Sequence, residues 1–136
     1  MDVIPPRNFP VGEAALREAL GHVENGAATL GFGRDTQLKL MLITEELYTN
    51  VINHGAAASR VEIALRRDGS GQAVLNFADD GTPFNPLDQL PHASHDLPPD
   101  ERPVGGLGVV LLDGFCAAVH YHRAGGRNCL EMFLRP

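Results

Sequence analysis

The apolar period of this chain changes at Gly55, and that change limits the folds open to it. Before Gly55 the apolar residues return every three or four positions, as on a helix; after it they return every second position, as on a strand. Leu40, Thr44, Leu47, Tyr48, Val51 and Ile52 share one side of the segment Leu40–Gly55. Val61, Ile63 and Leu65 then alternate with Arg60, Glu62 and Arg66, the pattern of a half-buried strand. A chain that switches period in this way needs a layer of helix against a layer of sheet.

The remaining elements follow from the same signals. Asp2 to Pro10 is rich in proline and allows an edge strand only around Arg7 to Phe9. A first helix is expected from about Val11 to Leu30, with Leu16, Leu20, Val23, Ala27 and Leu30 on its apolar face and Gly26 weakening its later turns. Gly31-Phe32-Gly33 ends it, and Gly33 or Asp35 caps the next helix. Asp68-Gly69-Ser70-Gly71 turns the chain into a second strand, Gln72 to Asp79. Asn85 to Val104, with five prolines and two histidines, is too long for a plain connection and reads as a disordered insertion or a functional lid. Gly105 to Gly108 run into a short apolar helix, and two last strands, Ala117 to Arg123 and Asn128 to Leu134, are joined by Ala124-Gly125-Gly126-Arg127. Helices in a run and strands in pairs, without strict alternation, predict an α/β (α+β) two-layer sandwich with a mixed, mostly antiparallel sheet and helices on one face. A doubly wound sheet does not fit that order.

Length and charge narrow the function. With 136 residues the chain is expected to form a single domain, residues 1–136. A net charge of -6, with Lys39 the one lysine, argues against nucleic acid as the main partner, because a phosphate backbone needs a basic patch. No apolar run is long enough to span a bilayer and the N-terminus lacks the features of a signal peptide, so the expected location is cytoplasmic, off the membrane. Cys116 and Cys129 match no metal or redox spacing and read as buried free thiols.

Three stations carry chemistry. Glu46, Asn50 and Asn53 share one face of the Leu40–Gly55 helix, with His54 at its edge; a carboxylate and amide oxygens are hard ligands suited to magnesium or to an activated hydroxyl. Asp79-x-Gly81 ends a strand, where a carboxylate can accept from an exocyclic amine and a glycine lets a flat ring approach. Gly105-Gly106-x-Gly108 opens a helix, where unpaired amides and the helix dipole favour phosphate. No Gly-Lys-Ser/Thr follows it, so it is not a Walker loop. His92, His95, His120 and His122 read as solvated side chains rather than a metal site.

In this order the stations resemble those of the GHKL ATPase superfamily, whose nucleotide-binding domain is the Bergerat fold. The motifs Glu46-x-x-x-Asn50, Asp79-x-Gly81 and Gly106-x-Gly108 correspond to that family's three, and the likeness runs from about Val11 to Leu134. Thr44-Glu45-Glu46-x-x-Thr49-Asn50-x-x-x-His54-Gly55, Asp79-Asp80-Gly81-x-Pro83-Phe84 and Gly105-Gly106-Leu107-Gly108 look most like the RsbW-like anti-sigma-factor serine/threonine kinases. Pro83 in place of a glycine fits that group rather than the wider family. The resemblance implies ATP and Mg2+ as cofactors, with Asn50 holding the metal, Asp79 taking the adenine amine beside Gly81, and Gly105, Gly106, Leu107 and Gly108 wrapping the phosphates. It implies Glu46 as the base for the attacking hydroxyl. Thr49, Asn53, His54 and Arg102 are further positions near the phosphates, residues 85–104 would be the ATP lid, and Asn128 would support Asp79 where family members often carry threonine.

The function so implied is an ATP-dependent protein serine kinase in a partner-switching system. It would phosphorylate a serine of a STAS-type antagonist protein and sequester a sigma factor or another effector, with a homodimer as a possible assembly. The alternative is a nucleotide-dependent sequestering module with little or no turnover, for which Glu46 has no use. A catalytic domain of a sensor histidine kinase fits less well, since the chain carries no helical hairpin with a phospho-accepting histidine.

Overall fold

The computed structural model describes residues 2–55, 57–89 and 112–136. Its elements run in the order β1 (Val3–Pro10), α1 (Glu13–Thr29), α2 (Arg34–His54), β2 (Arg60–Arg67), β3 (Ala73–Asp79), a 3-10 turn (Pro86–Gln89), β4 (Cys116–Ala124) and β5 (Arg127–Leu134). The strands form one sheet in the order β1-β2-β3-β5-β4. Both helices pack on one face of it, so the two-layer sandwich stands as expected. All four ladders are antiparallel, so no parallel pair enters among the described strands.

The alternation read from β2 decides the layering. Val61, Ile63 and Leu65 are buried, and across the sheet they line up with Leu75 and Phe77 of β3 and with Leu130 and Met132 of β5. Ala15, Ala19, Val23 and Ala27 of α1 and Leu40, Ile43, Leu47, Tyr48 and Val51 of α2 close over that face as one cluster. Thr44 is fully buried within it, its hydroxyl donating to the Leu40 carbonyl at 2.8 Å, which satisfies that polar group. Tyr48 crosses the layers. Its ring meets Phe77 edge-on at 6.4 Å, and its hydroxyl donates to the Pro10 carbonyl.

β1 is longer than the Arg7–Phe9 segment expected. It lies at the sheet edge, where Pro5 and Pro6 need no ladder partner for their missing N–H groups, and its register shifts between Ile4 and Arg7 to absorb them. Gly26, which weakens α1 as a helix former, earns its place here. A Cβ at that position would stand 3.2 Å from the Ile4 side chain, so glycine lets α1 seat against β1. Gly55 ends α2 as expected, its N–H on the Val51 carbonyl at 2.9 Å. Residues 112–115 form a helical turn whose Leu112 is buried in the core. Most of the segment 85–104, with His92 and His95, lies outside the described residues.

Cys116 belongs to the core, and burial pushes its thiol up to about 11. Cys129 is only half-buried, on the sheet face away from the helices, so the expectation of two buried thiols holds for Cys116 alone.

Candidate functional site

The site is built at the end of β3 where the strand leaves the sheet. Phe77 and Asp79 point to the same side because they are two apart, and Phe77 touches Tyr48 of α2. Asp79 therefore stands at the rim of the helix-facing side of the sheet. Its register partner on β5 is Asn128, and the register partner of Asn128 on β4 is Arg123. One row across three strands thus holds the polar groups of the site.

Asn128 is 5% exposed and uses its whole amide. Its Nδ2 donates to Asp79 Oδ1 at 3.2 Å and to the Thr82 carbonyl at 2.8 Å. Its Oδ1 accepts from the Phe84 N–H at 2.9 Å and from the Tyr121 hydroxyl at 2.7 Å. With two acceptors on one side and two donors on the other, only this orientation of the amide fits, and no donor or acceptor is left over for a ligand. Arg123 reaches past it to the Gly81 carbonyl at 2.8 Å. The loop 79–84 is held from beneath by β4 and β5.

Asp79 is held by one oxygen. Oδ1 accepts from the Gly81 N–H at 2.9 Å as well as from Asn128. Oδ2 takes no hydrogen bond from any described residue, which leaves an oriented acceptor of the kind an exocyclic amine requires. That is the fit a purine base needs from this chain. Gly81 is buried beside it.

Asp80 points the other way. Its Oδ1 accepts from the Ser59 N–H at 2.7 Å and the Arg60 N–H at 3.0 Å, and its Oδ2 from the Ser59 hydroxyl at 2.5 Å. These bonds, led by the Ser59 hydroxyl, hold its carboxyl at about 2, well below the usual 3.8.

On α2, Glu46 and Asn50 are half-buried and lie one turn apart on one face; Thr49 is half-buried and Asn53 and His54 are exposed at the helix end. Neither Glu46 nor Asn50 is hydrogen-bonded to a described side chain. A carboxylate and an amide oxygen in this relation are suited to a hard cation. The structure thus joins Asp79, Gly81 and Asn128 by hydrogen bonds and mounts Glu46 and Asn50 on the helix that packs against the same strand. Arg102, Gly105, Gly106, Leu107 and Gly108 lie outside the described residues. His120 and His122 are exposed, and no cluster able to hold a metal occurs among the described residues. Sequence reasoning missed Tyr121, Arg123 and Ser59. The first two were within its reach, since they share the alternating face of their strand with Val119.

Residues 9–134 match the family model of the histidine kinase-like ATPase domain. The chain belongs to that family. ATP is the nucleotide the histidine kinase-like ATPase domain is named for, and Asp79, with its open oxygen, lies in the part of the chain that matches. No curated protein sequence matches. Among solved structures, the RsbU and RsbW domains of Rv1364c from Mycobacterium tuberculosis align with a TM-score of 0.61 at 15% identity, covering 98% of this chain and 34% of that one. This chain thus spans about a third of that protein. The SiaB-SiaC complex from Pseudomonas aeruginosa aligns with a TM-score of 0.61 at 13% identity, covering 98% and 90%. A blue-light activated histidine kinase from Erythrobacter litoralis follows with a TM-score of 0.51 at 20% identity, covering 92% and 41%. At these identities the likeness is one of fold. It bears out the Bergerat-type sandwich. No described helix is long and apolar enough to cross a membrane.

Proposed function

We propose that this histidine kinase-like ATPase domain is an ATP-dependent protein serine kinase that also acts as a binding partner in a switching system. The observation that carries the reading is Asp79, with one oxygen fixed by Gly81 and Asn128 and the other unpaired among the described residues, at the end of the strand on which the Glu46–Asn50 helix packs. In this reading Asp79 accepts from the adenine amine and Asn128 positions it. Asn50 holds Mg2+, whose chemistry when bound is to neutralise phosphate charge. Asn53, His54, Arg102 and the amides of Gly105, Gly106, Leu107 and Gly108 line the phosphate end. Glu46 takes the proton of a serine hydroxyl as that oxygen bonds to the terminal phosphorus and ADP leaves, a transfer that depends on positioning more than on covalent catalysis.

The substrate class is a serine on a small STAS-type antagonist, and the second partner is a sigma factor or similar effector. A fold neighbour that stands in a complex with a second protein supports the choice of a protein partner. The test is a pull-down from cells with and without ATP, followed by phosphorylation of the captured antagonist. Glu46→Ala is expected to keep ATP affinity and to lose about 10²-fold or more of the transfer rate, the contribution of a general base. A mutant as fast as the unaltered chain would remove Glu46 from the chemistry and favour the alternative, a sequestering module with little turnover.

A further inference from the structure

Asp80 ties the connection between α2 and β2 to the end of β3, one residue from the base carboxylate. Three donors from Ser59 and Arg60 converge on it, and the Ser59 carbonyl in turn accepts from the Val11 N–H at 3.2 Å. Ser59 therefore joins three parts of the molecule: the junction of β1 with α1, the chain leaving α2, and the turn that follows β3. Within the same connection Ala57 sits at φ 64°, in the left-handed region that a residue with a Cβ occupies only when its surroundings impose it. The Ala58 N–H closes that turn on the Gly55 carbonyl at 3.0 Å, and Asp80 grips the chain just after it, at Ser59 and Arg60.

We propose that Asp80 is a positioning residue that fixes the span between the Glu46–Asn50 end of α2 and the Asp79–Gly81 turn. A ligand that engages both ends depends on that span, whereas a ligand that engages only the base end does not. The inference rests on the reading of Asp79 as the base acceptor and Asn50 as the metal holder. Asp80 itself faces away from the base and touches no reacting group.

The test compares ATP with Mg2+, which reaches both ends, with adenosine, which reaches one, by calorimetric titration of the full chain. Asp80→Ala is expected to weaken ATP with Mg2+ about tenfold while leaving adenosine within about twofold, a coupling of ordinary size. Asp80→Asn is expected to restore the ATP affinity. Its Oδ1 still accepts from the Ser59 and Arg60 N–H groups, and the Ser59 hydroxyl rotates to accept from the new amide. A variant that merely loosened the fold would weaken both ligands alike, and that result, or no change in either, overturns the proposal. A second measurement needs no variant. By linkage, ATP with Mg2+ is expected to slow amide exchange at Ser59 and Arg60 by the factor that the clamp adds to affinity, and adenosine is not. Equal protection by the two ligands overturns the proposal even if Asp80→Ala fails to fold. No ATP binding by the unaltered chain would overturn the underlying reading instead, and the two failures are distinct.

Discussion

Asn128 shows how much a single buried side chain can hold. Its four hydrogen bonds shape the loop from Asp79 to Phe84, and truncation leaves the Thr82 carbonyl, the Phe84 N–H and the Tyr121 hydroxyl without their partner. Asn128→Ala is expected to cost about 1 kcal/mol or more of stability, the loss of several partly buried hydrogen bonds, as measured by urea unfolding. A loss under about 0.5 kcal/mol would mean that water replaces the amide without penalty. Asp80 makes a different prediction, on pH. Its carboxyl lies at about 2 in the folded chain and near 3.8 when free, so as pH falls the unfolded chain takes the proton first. The stabilisation is complete above about pH 4 and is lost between 3.8 and about 2. Unfolding curves of Asp80→Asn are expected to lack that acid component. If its stability falls with pH as steeply as that of the unaltered chain, Asp80 is not the group responsible.

At the scale of elements, α2 divides its residues by face. Leu40, Ile43, Leu47 and Val51 bury it against the sheet, while Glu46 and Asn50 remain half-buried with no hydrogen bond to a described side chain. Tyr48 belongs to the packing face and also links α2 to β1 through its hydroxyl and the Pro10 carbonyl. That bond is partly buried, and Tyr48→Phe is expected to lower stability by about 1 kcal/mol with the ring packing retained. An unchanged denaturation midpoint would show that β1 is held by its ladder with β2 and its packing on α1. Most of α2, β2, β3 and β5 was legible in the sequence within a few residues, because helical and alternating periods are local properties of the chain. β1 was not. Pro5 and Pro6 remove the donors by which a central strand is recognised, and only a place at the edge, with a register shift, makes the strand possible.

For the whole molecule, membership of the histidine kinase-like ATPase family gives a thermodynamic expectation. A ligand that binds only the folded chain at about 100 times its dissociation constant adds about 2.7 kcal/mol. ATP with Mg2+ at that level is expected to raise the melting temperature by several degrees, by about 5–10 °C for a chain of this size. Asp79→Asn is expected to shrink that rise while leaving the melting temperature of the free protein within a degree or two. A full ATP-induced rise in Asp79→Asn would take Asp79 out of the site. The sequence alone determined which residues turn inward and where the family's motifs fall, because side-chain period and motif spacing are read along the chain. Tertiary structure alone decided that Asp79, Asn128 and Arg123 form one row, that Tyr121 completes the Asn128 network, and that Asp80 grips Ser59 rather than joining Asp79 in that row. The row depends on β3 pairing with β5, which joins Asp79 to Asn128, and no local pattern encodes register between strands that are not neighbours in sequence.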